Sequence, residues 1–375
     1  MKKQLFKHGR VWLEISLQTL TDNFKKIHET VHPCGVIAIL KANAYGLGVE
    51  KIAETLAKAG AAGFGVAELN EALAIKKFGK PVQIIGAVLP DEIPDAVQNG
   101  IILPATDYRT AKLISDESVR QKRTTECHFL VDTGMGRLGT IANEAIKEAK
   151  KCAKLPNICL AGIYTHFPVA YRAGSEYTFE QIKKFLAILD SLAKSGINFK
   201  KIHCANSDAI NNFPFTYKPP FNMVRTGINI HGSFDSEGKR SLNLKSVLTL
   251  KTRLAAVRTL EAGTSIGYGC TYTLPRKMRV GTISAGYADG LPLALSNRGY
   301  VLIRGKPCEI LGRVSMDYTT VSLEQVPDAE CGDEVICLGG QGLHAISVEN
   351  WALLKGTHPY EIICSFGSRV KRCHI

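Results

Sequence analysis

Residues 36–69 read VIAILKANAYGLGVEKIAETLAKAGAAGFGVAEL, which is an apolar run, an amphipathic segment and a second apolar run. Apolar residues of the middle segment recur at spacings of three and four, which predicts a helix between two buried strands. The alternation continues to about residue 230. The predicted strands are VIAIL (36–40), GFGVAEL (63–69), VQIIGAVL (82–89), GIILPAT (100–106), HFLVD (128–132), LAGIYTH (160–166), KIHCAN (201–206) and MVRTGI (223–228).

Eight parallel strands with intervening helices predict an α/β fold of the TIM (β/α)8 barrel type. The fourth unit is short, and its segment IPDAVQNG (93–100) is a poor helix candidate. An open doubly wound sheet is the alternative architecture, but no GxGxxG motif follows the first run.

The pattern changes after the polar stretch SFDSEGKRSLNLKS (233–246), because short strand-like runs separated by Gly and Pro then dominate. Only ISVENWALLKG (346–356) predicts a helix there. We therefore expect a cofactor-binding barrel over 11–240 and a C-terminal, mainly-β domain over 241–375, joined by an N-terminal strand at 1–10.

Composition excludes several classes of protein. The chain has 375 residues, 45% hydrophobic and 22% charged, which is ordinary for two globular domains. No continuous apolar stretch predicts a membrane span or a secretory signal. The net charge of +13 is spread along the sequence, so no nucleic-acid partner is expected. The 11 cysteines are too scattered for a metal site or a disulfide framework, and they favour the cytoplasm.

Candidate chemistry lies where the barrel strands end, since barrel active sites form at the carboxyl ends. Lys41 leaves the first strand, where a partly desolvated amine can form a Schiff base. Ser207 follows the seventh strand, and Gly227 lies at the end of the eighth, where backbone amides can approach an anion closely. A lysine together with an anion-binding cradle suggests an aldehyde that carries a phosphate, that is, pyridoxal 5'-phosphate. Each feature alone is also explained by ordinary capping or turn chemistry.

Eight segments together resemble the alanine racemase family, in its order and spacing along essentially the whole chain. They are KANAYGLG (41–48), VDTGMGRLG (131–139), IYTHF (163–167), HCANS (203–207), MVRTGI (223–228), GYGCTY (267–272), GYADGLP (286–292) and GRVSMDY (312–318). The resemblance implies a cytoplasmic, pyridoxal-phosphate-dependent isomerase that interconverts L-alanine and D-alanine for peptidoglycan synthesis. It also implies a homodimer with shared active sites.

The resemblance gives catalytic roles to two residues. Lys41 resembles the lysine that holds the cofactor covalently and acts on the α-proton of the D enantiomer. Tyr268 resembles the opposite base, which acts on the L enantiomer and comes from the partner subunit. His166 and His203 resemble a relay towards Arg225, and Arg225 resembles the arginine that faces the pyridine nitrogen of the cofactor.

Other residues resemble binding groups of the family. His166 and Arg225 resemble cofactor contacts of the family. The residues that resemble its phosphate contacts are Tyr45, Ser207, Gly227, Ile228 and Tyr360. Arg137 and Met316 resemble the groups that bind the substrate carboxylate, with Met316 supplied by the partner. Tyr287 and Asp317 are expected to support the site and its entry channel, and no metal is expected.

The sequence departs from the common family pattern in the substrate region. Leu130 stands where many members carry a lysine that orients the arginine, and His231 replaces a frequent tyrosine. The segments PVAYRAGSEY (168–177) and GYADGLPLAL (286–295) lack a charge pair often found at the entry channel. A racemase of broader scope, for example on serine, is therefore the alternative function. A non-catalytic barrel protein that binds pyridoxal phosphate would lack the residues after 240, and Arg225 disfavours a related decarboxylase.

Overall fold

The computed structural model describes residues 9–235, 237–341 and 344–375. The chain divides into two compact units. The barrel unit comprises Thr21–Ile230 and Glu237–Leu244, and the β unit comprises the described parts of residues 9–20, 231–235 and 245–375. Most of the expected N-terminal strand 1–10 lies outside the described residues.

Strands β2 to β10 belong to the barrel unit, and β1 belongs to the β unit. They are β1 (Trp12–Ile15), β2 (Gly35–Ile39), β3 (Gly63–Val66), β4 (Val82–Ile84), β5 (Leu103–Ala105), β6 (Thr125–Asp132), β7 (Thr140–Ile141), β8 (Ile158–Tyr164), β9 (Lys201–His203) and β10 (Met223–Thr226). The side chains of Val36, Ile37, Ala38 and Ile39 in β2 are all buried. This is typical of a parallel strand that is covered on both faces.

The parallel strands close into a ring. The pairings run β10–β2–β3–β4 and β5–β6–β8–β9, with the short strand β7 pairing with β6. A parallel bridge between Gln83 and Ile102 joins β4 to β5. The Asn222 amide donates to the Ile202 carbonyl at 3.1 Å, which joins β9 to β10. The predicted (β/α)8 barrel is thereby confirmed, with every predicted strand in place.

The helices lie between these strands. They are α1 (Leu17–Val31), α2 (Lys41–Tyr45), α3 (Val49–Ala59), α4 (Leu69–Lys76), α5 (Ile93–Gln98), α6 (Tyr108–Arg120), α7 (Ala145–Cys152), α8 (Glu176–Lys194) and α9 (Ser207–Asn212). The weak candidate in the fourth unit does form α5, with Pro94 in its first turn, where a proline costs no hydrogen bond. None of the helices in the described part of the chain has both the length and the apolar character that crossing a membrane requires.

The β unit is built on a mainly antiparallel sheet of nine strands and a separate two-stranded hairpin. Its strands are β11 (Leu248–Leu260), β12 (Ser265–Ile266), β13 (Tyr272–Thr273), β14 (Met278–Ile283), β15 (Tyr300–Ile303), β16 (Lys306–Leu311), β17 (Thr319–Ser322), β18 (Glu334–Gln341), β19 (His344–Ile346) and β20 (Lys371–His374). The sheet order is β19-β18-β15-β16-β17-β14-β11-β1-β20, and β18 also pairs with β11. The predicted helix at 346–356 is present as α10 (Val348–Lys355), and α11 (Pro359–Cys364), which was not predicted, follows it.

Candidate active site

Lys41 follows β2 directly and begins α2, a turn with unusual backbone geometry. Its next four residues have left-handed φ angles of 54°, 54°, 52° and 60°: Ala42, Asn43, Ala44 and Tyr45. Side chains with a Cβ rarely adopt this conformation, and it costs about 1–2 kcal/mol for each residue. Such strain persists only where surrounding groups hold it, and it concentrates at functional sites.

The carboxylate of Glu71 holds this turn. Its Oε1 accepts from the Ala42 amide at 2.5 Å and the Asn43 amide at 3.4 Å, and its Oε2 accepts from the Ala67 amide at 2.9 Å. The Asn43 Oδ1 accepts from the Val49 amide at 2.8 Å, which ties the turn to the start of α3. Sequence reasoning missed Glu71, because its role depends on a contact between the turn after β2 and the start of α4, which are distant in the sequence.

Arg225 in β10 lies at the centre of a polar network inside the barrel. Its Nη1 donates to the His203 Nδ1 at 2.7 Å and to the His203 carbonyl at 3.1 Å. Its Nη2 donates to the carbonyls of Thr165 at 2.7 Å and Cys204 at 3.1 Å, and lies 3.4 Å from the His166 Nδ1. The Tyr164 ring stacks on His203 with centroids 4.9 Å apart. The guanidinium is thereby fixed in plane and in position.

Four predicted residues lie close enough together to influence one another electrostatically. The pKa of His166 is lowered to about 3 by burial of the ring and by the positive charges of Arg225, Arg137 and Lys41. Burial also lowers the pKa of Arg225 to about 10, and burial with the charge of Arg225 holds the pKa of His203 well below its usual range. Both imidazoles are therefore neutral at physiological pH, while Arg225 remains a cation.

The predicted phosphate contacts of the barrel converge at the start of α9. The Ser207 Oγ lies 3.1 Å from the Thr226 Oγ1 and accepts from the Gly227 amide at 3.2 Å. A Cβ on Gly227 would overlap the phenol oxygen of Tyr45. Ile228, the residue after Gly227, is fully buried. Hydroxyls, a phenol and a backbone amide at a glycine form the kind of concave donor set that binds phosphate.

Arg137 lies in a loop that is organised around Asp132. The Asp132 carboxylate accepts from the amides of Gly134 at 2.9 Å, Met135 at 2.7 Å and Gly136 at 2.9 Å. The Tyr177 hydroxyl donates to the Gly134 carbonyl at 2.7 Å. These bonds orient the loop through its backbone. The Arg137 side chain is exposed and makes no ion pair with the residues that the structure describes.

Leu130 packs where the family pattern often has a lysine. It is 5% exposed, and a Cβ on Gly139 would lie 2.7 Å from its Cγ, so it fills the space beneath the loop. His231 is 1% exposed, and burial lowers its pKa to about 4.

The β unit holds the other predicted residues, and three of their side chains are exposed. Tyr268, in a short turn after β12, is 72% exposed, Met316 is 52% exposed and Tyr287 is 47% exposed. Tyr360 is half-buried in α11. The Tyr287 and Met316 loops are adjacent, since the Tyr287 amide donates to the Ser315 carbonyl at 3.0 Å.

Arg369 joins these two loops. Its Nε donates to the Asp289 Oδ1 at 2.7 Å, its Nη1 to the Asp317 Oδ1 at 2.7 Å and its Nη2 to the Met316 carbonyl at 3.3 Å. Asp289 is 3% exposed, and its Oδ2 also accepts from the Gly286 amide at 3.0 Å. Sequence reasoning named Asp317 but missed Arg369 and Asp289. The close carboxylates raise the pKa of Arg369, so its charge is secure.

Comparison with known families decides what this arrangement belongs to. The model "Alanine racemase, N-terminal domain" matches residues 15–234, and "Alanine racemase, C-terminal domain" matches residues 247–374. The chain belongs to the alanine racemase family. Because the C-terminal domain of the family is present, the chain contains more than the barrel that a simple cofactor-binding protein of this fold would need.

Relatives and solved structures of alanine racemases match nearly the whole chain. The alanine racemase of Desulforamulus reducens is 38% identical over 371 residues, which cover 97% of this chain and 99% of that protein. That of Halothermothrix orenii is also 38% identical, over 96% of both chains. The structure of the Clostridium difficile 630 alanine racemase has a TM-score of 0.91 at 30% identity, covering 98% of this chain and 96% of that one.

The alanine racemase family depends on pyridoxal phosphate, and the residues of this barrel fit that group. The Bartonella henselae alanine racemase, with covalently bound pyridoxal phosphate, matches with a TM-score of 0.87 at 29% identity over 98% of this chain and 100% of that chain. Lys41 carries an amine that suits covalent attachment, and Arg225 is a donor fixed in position. The Ser207 hydroxyl and the Tyr45 phenol both lie against Gly227, and these are groups that suit a phosphate. The close approach of Tyr45 to Gly227 leaves no room for a side chain at that position, which is the property expected of a cradle that closes around a phosphate.

Proposed function

We propose that the protein interconverts L-alanine and D-alanine with pyridoxal 5'-phosphate as its cofactor and supplies D-alanine for peptidoglycan. The observation that carries the proposal is the convergence of an amine, a donor-only guanidinium and a phosphate cradle at one end of the barrel. The proposal includes a cofactor-binding domain over 11–240 and a C-terminal domain over 241–375.

In this proposal Lys41 holds the cofactor covalently, and Ser207, Gly227, Ile228, Tyr45 and Tyr360 hold its phosphate. When bound, the cofactor withdraws electrons from the α-carbon of the amino acid and makes its proton acidic. Racemisation then needs one base on each face of a planar centre. The Lys41 amine removes or returns the proton on one face, and the Tyr268 hydroxyl does so on the other.

Arg225 limits side reactions in this proposal. A guanidinium can donate hydrogen bonds but cannot accept a proton, so it does not favour a protonated pyridine ring. With pyridoxal phosphate bound, a donor-only Arg225 would leave the ring nitrogen unprotonated and so would disfavour side reactions of the cofactor. His166 and His203 hold Arg225 in place, and Arg137 with the Met316 amide binds the planar substrate carboxylate.

We propose a homodimer in which the β unit of one subunit completes the barrel site of the other. The exposure of Tyr268, Met316 and Tyr287 supports this, because large apolar or aromatic side chains near a site are usually covered in the active assembly. We place the protein in the cytoplasm, since its 11 cysteines are scattered along the sequence without a pattern typical of a disulfide framework.

The test is direct. Purified protein supplied with pyridoxal phosphate should show visible absorbance that persists on dialysis, and borohydride should fix the cofactor to the Lys41 peptide. It should convert each alanine enantiomer to a racemic mixture, as measured by chiral chromatography. A Lys51→Ala variant, which changes an exposed lysine of α3, should behave as the wild type. Stable absorbance without racemisation would contradict the proposed activity.

Substrate range needs its own measurement. Leu293, in the segment that lacks a charge often found at the entry channel of the family, is 52% exposed, so an apolar side chain is presented at this position. We expect alanine to be preferred, and a panel of amino acids including serine should be assayed for kcat/KM. If serine matched alanine, the broader racemase would be the correct description.

A further inference from the structure

A chain of polar side chains runs from Arg225 through the inside of the barrel to Glu126 in β6. The Arg225 Nη1 lies 2.7 Å from the His203 Nδ1, and the His203 Nε2 lies 3.1 Å from the His128 Nδ1. The His128 Nε2 lies 3.1 Å from the Glu126 Oε1, which also pairs with the Lys201 Nζ at 2.7 Å. Glu126 and His128 lie outside every motif of the proposed site.

The Arg225 donor determines which ring nitrogen carries the proton in both histidines. Arginine only donates, so the His203 Nδ1 must accept and its proton must be on Nε2. The His203 Nε2–H then donates to the His128 Nδ1, and the His128 Nε2–H donates to the Glu126 carboxylate. A protonated imidazole at His203 would oppose the Arg225 donor with a second donor. Both rings are therefore neutral and share one tautomer.

This series of hydrogen bonds matters because it connects a buried positive charge to a carboxylate. Arg225 is 4% exposed, His203 is fully buried and His128 is 1% exposed. Arg225 has no ion pair with a carboxylate in the part of the chain that the structure describes. A buried cation without a compensating anion is costly. The aligned N–H groups point away from Arg225 and towards Glu126, so two imidazole dipoles connect the cation to its anion.

The pKa values agree with this arrangement. The hydrogen bond from His128, together with Lys201, lowers the pKa of Glu126 to about 2 in spite of its partial burial. Burial lowers the pKa of His128, which keeps the ring neutral although Glu126 opposes this effect.

We propose that Glu126 is a positioning residue for Arg225, which it controls from the far end of the chain by fixing the Nε2–H tautomers of His128 and His203. Without a carboxylate, His128 can move its proton to Nδ1. His203 must then accept at Nε2 and present Nδ1–H to the guanidinium, which pushes Arg225 from its place. Only the effect on catalysis rests on the proposed function, since the tautomers belong to the protein itself.

The experiment uses full-length protein labelled with 15N-histidine, with and without pyridoxal phosphate. Long-range 1H–15N spectra identify which ring nitrogen carries the proton, and single histidine substitutions assign the signals. We expect Nε2–H for His128 and His203 in the wild type. Glu126→Leu removes the acceptor and should shift His128 to the other tautomer or to a mixture. Glu126→Gln keeps an acceptor without the charge, so it should retain more of the Nε2–H tautomers than Glu126→Leu. The wild-type spectrum alone still tests the assignment if the leucine variant does not fold.

Kinetics give the second measurement. Displacement of Arg225 should lower kcat by about tenfold, with little change in the KM for alanine, in Glu126→Leu and less in Glu126→Gln. Glu334→Gln is the matched control, because Glu334 is also a strand glutamate with a lysine partner, Lys251 at 3.0 Å, but has no imidazole. In Glu334→Gln, the tautomers of His128 and His203 and the kcat should equal those of the wild type.

Two results would overturn the proposal. One is a wild-type spectrum with Nδ1–H on either histidine, and the other is a folded Glu126→Leu variant with unchanged tautomers and unchanged kcat. A wild type with the expected tautomers but no racemisation would instead refute the proposed function and leave the tautomer assignment supported.

Discussion

The two units of this protein hold their candidate site residues in opposite ways. In the barrel unit, Arg225 is 4% exposed and His203 is fully buried, and each is held by several hydrogen bonds within the unit. In the β unit, Tyr268 is 72% exposed and Met316 is 52% exposed. The barrel therefore organises its part of the site by itself, whereas the β unit presents side chains that nothing in their own unit covers.

Exposure in the β unit does not mean loose attachment. Arg369 fixes the backbone of the Tyr287 and Met316 loops through Asp289, Asp317 and the Met316 carbonyl. The side chains are thus presented from a rigid base, as expected of groups that act on another surface. The difference between the units shows that side chains of the barrel unit are held by contacts within that unit, whereas those of the β unit are presented outward.

The largest effect should come from Lys41→Ala. This change removes both the covalent attachment and one base, so we expect racemisation to fall by at least about 10⁴-fold. Tyr268→Phe should also lose most activity but keep the bound cofactor, since Tyr268 is not among the proposed cofactor contacts. Absorbance after dialysis and chiral chromatography measure the two properties. Loss of cofactor from Tyr268→Phe would contradict the division of labour between the units.

Mixing two inactive variants tests whether the exposed residues act on a partner. A heterodimer of Lys41→Ala and Tyr268→Phe has one intact site if Tyr268 acts across subunits, and none if it acts within its own subunit. Random exchange should then restore about a quarter of the wild-type activity. Exchange is verified by native mass spectrometry. Verified heterodimers without activity would show that each subunit completes its own site.

A smaller effect is expected from Arg369→Met in the β unit. The buried carboxylate of Asp289 would lose its cation, which should lower the free energy of unfolding by about 1–3 kcal/mol and raise the KM for alanine through the Met316 loop. Arg304→Met is the matched control. Arg304 also pairs with two carboxylates, those of Asp328 and Asp333, but on average these are more exposed than the carboxylates of Asp289 and Asp317. Urea unfolding and steady-state kinetics measure both. Equal losses in the two variants would mean that Arg369 does not hold the site loops.

The sequence predicted the barrel well because its signals are local. Each strand, such as VIAIL before Lys41, is a short apolar run followed by an amphipathic helix, and parallel strands that are buried on both faces are uniformly apolar. Lys41, Ser207 and Gly227 follow from strand ends alone. The sequence could not show α5, because the six residues Ile93–Gln98 form a helix too short for a periodic pattern to be visible.

The residues that sequence analysis missed all act through contacts distant in the chain. Glu71 meets the Lys41 turn from α4, Arg369 meets Asp289 across 80 positions, and Glu126 reaches Arg225 only through two imidazoles. None carries a local motif, since glutamate and arginine usually serve as solvated surface groups. Their roles become visible only when the fold brings their partners together.

The smallest effect is the pH dependence of Glu126, and it tests whether the barrel interior is as tightly coupled as its geometry indicates. The hydrogen bond from His128 lowers the pKa of Glu126 from 4.5 to about 2. A carboxyl with a lowered pKa stabilises the folded state above its unfolded pKa, and this contribution is lost as pH falls from about 4.5 to about 2. Since 34% of the side chain is exposed, water reduces the contribution to about 1 kcal/mol. Urea unfolding of the wild type and Glu126→Gln should therefore differ by this amount at pH 6 and converge near pH 2.5. A constant difference across that range would mean that Glu126 is not coupled to the buried imidazoles.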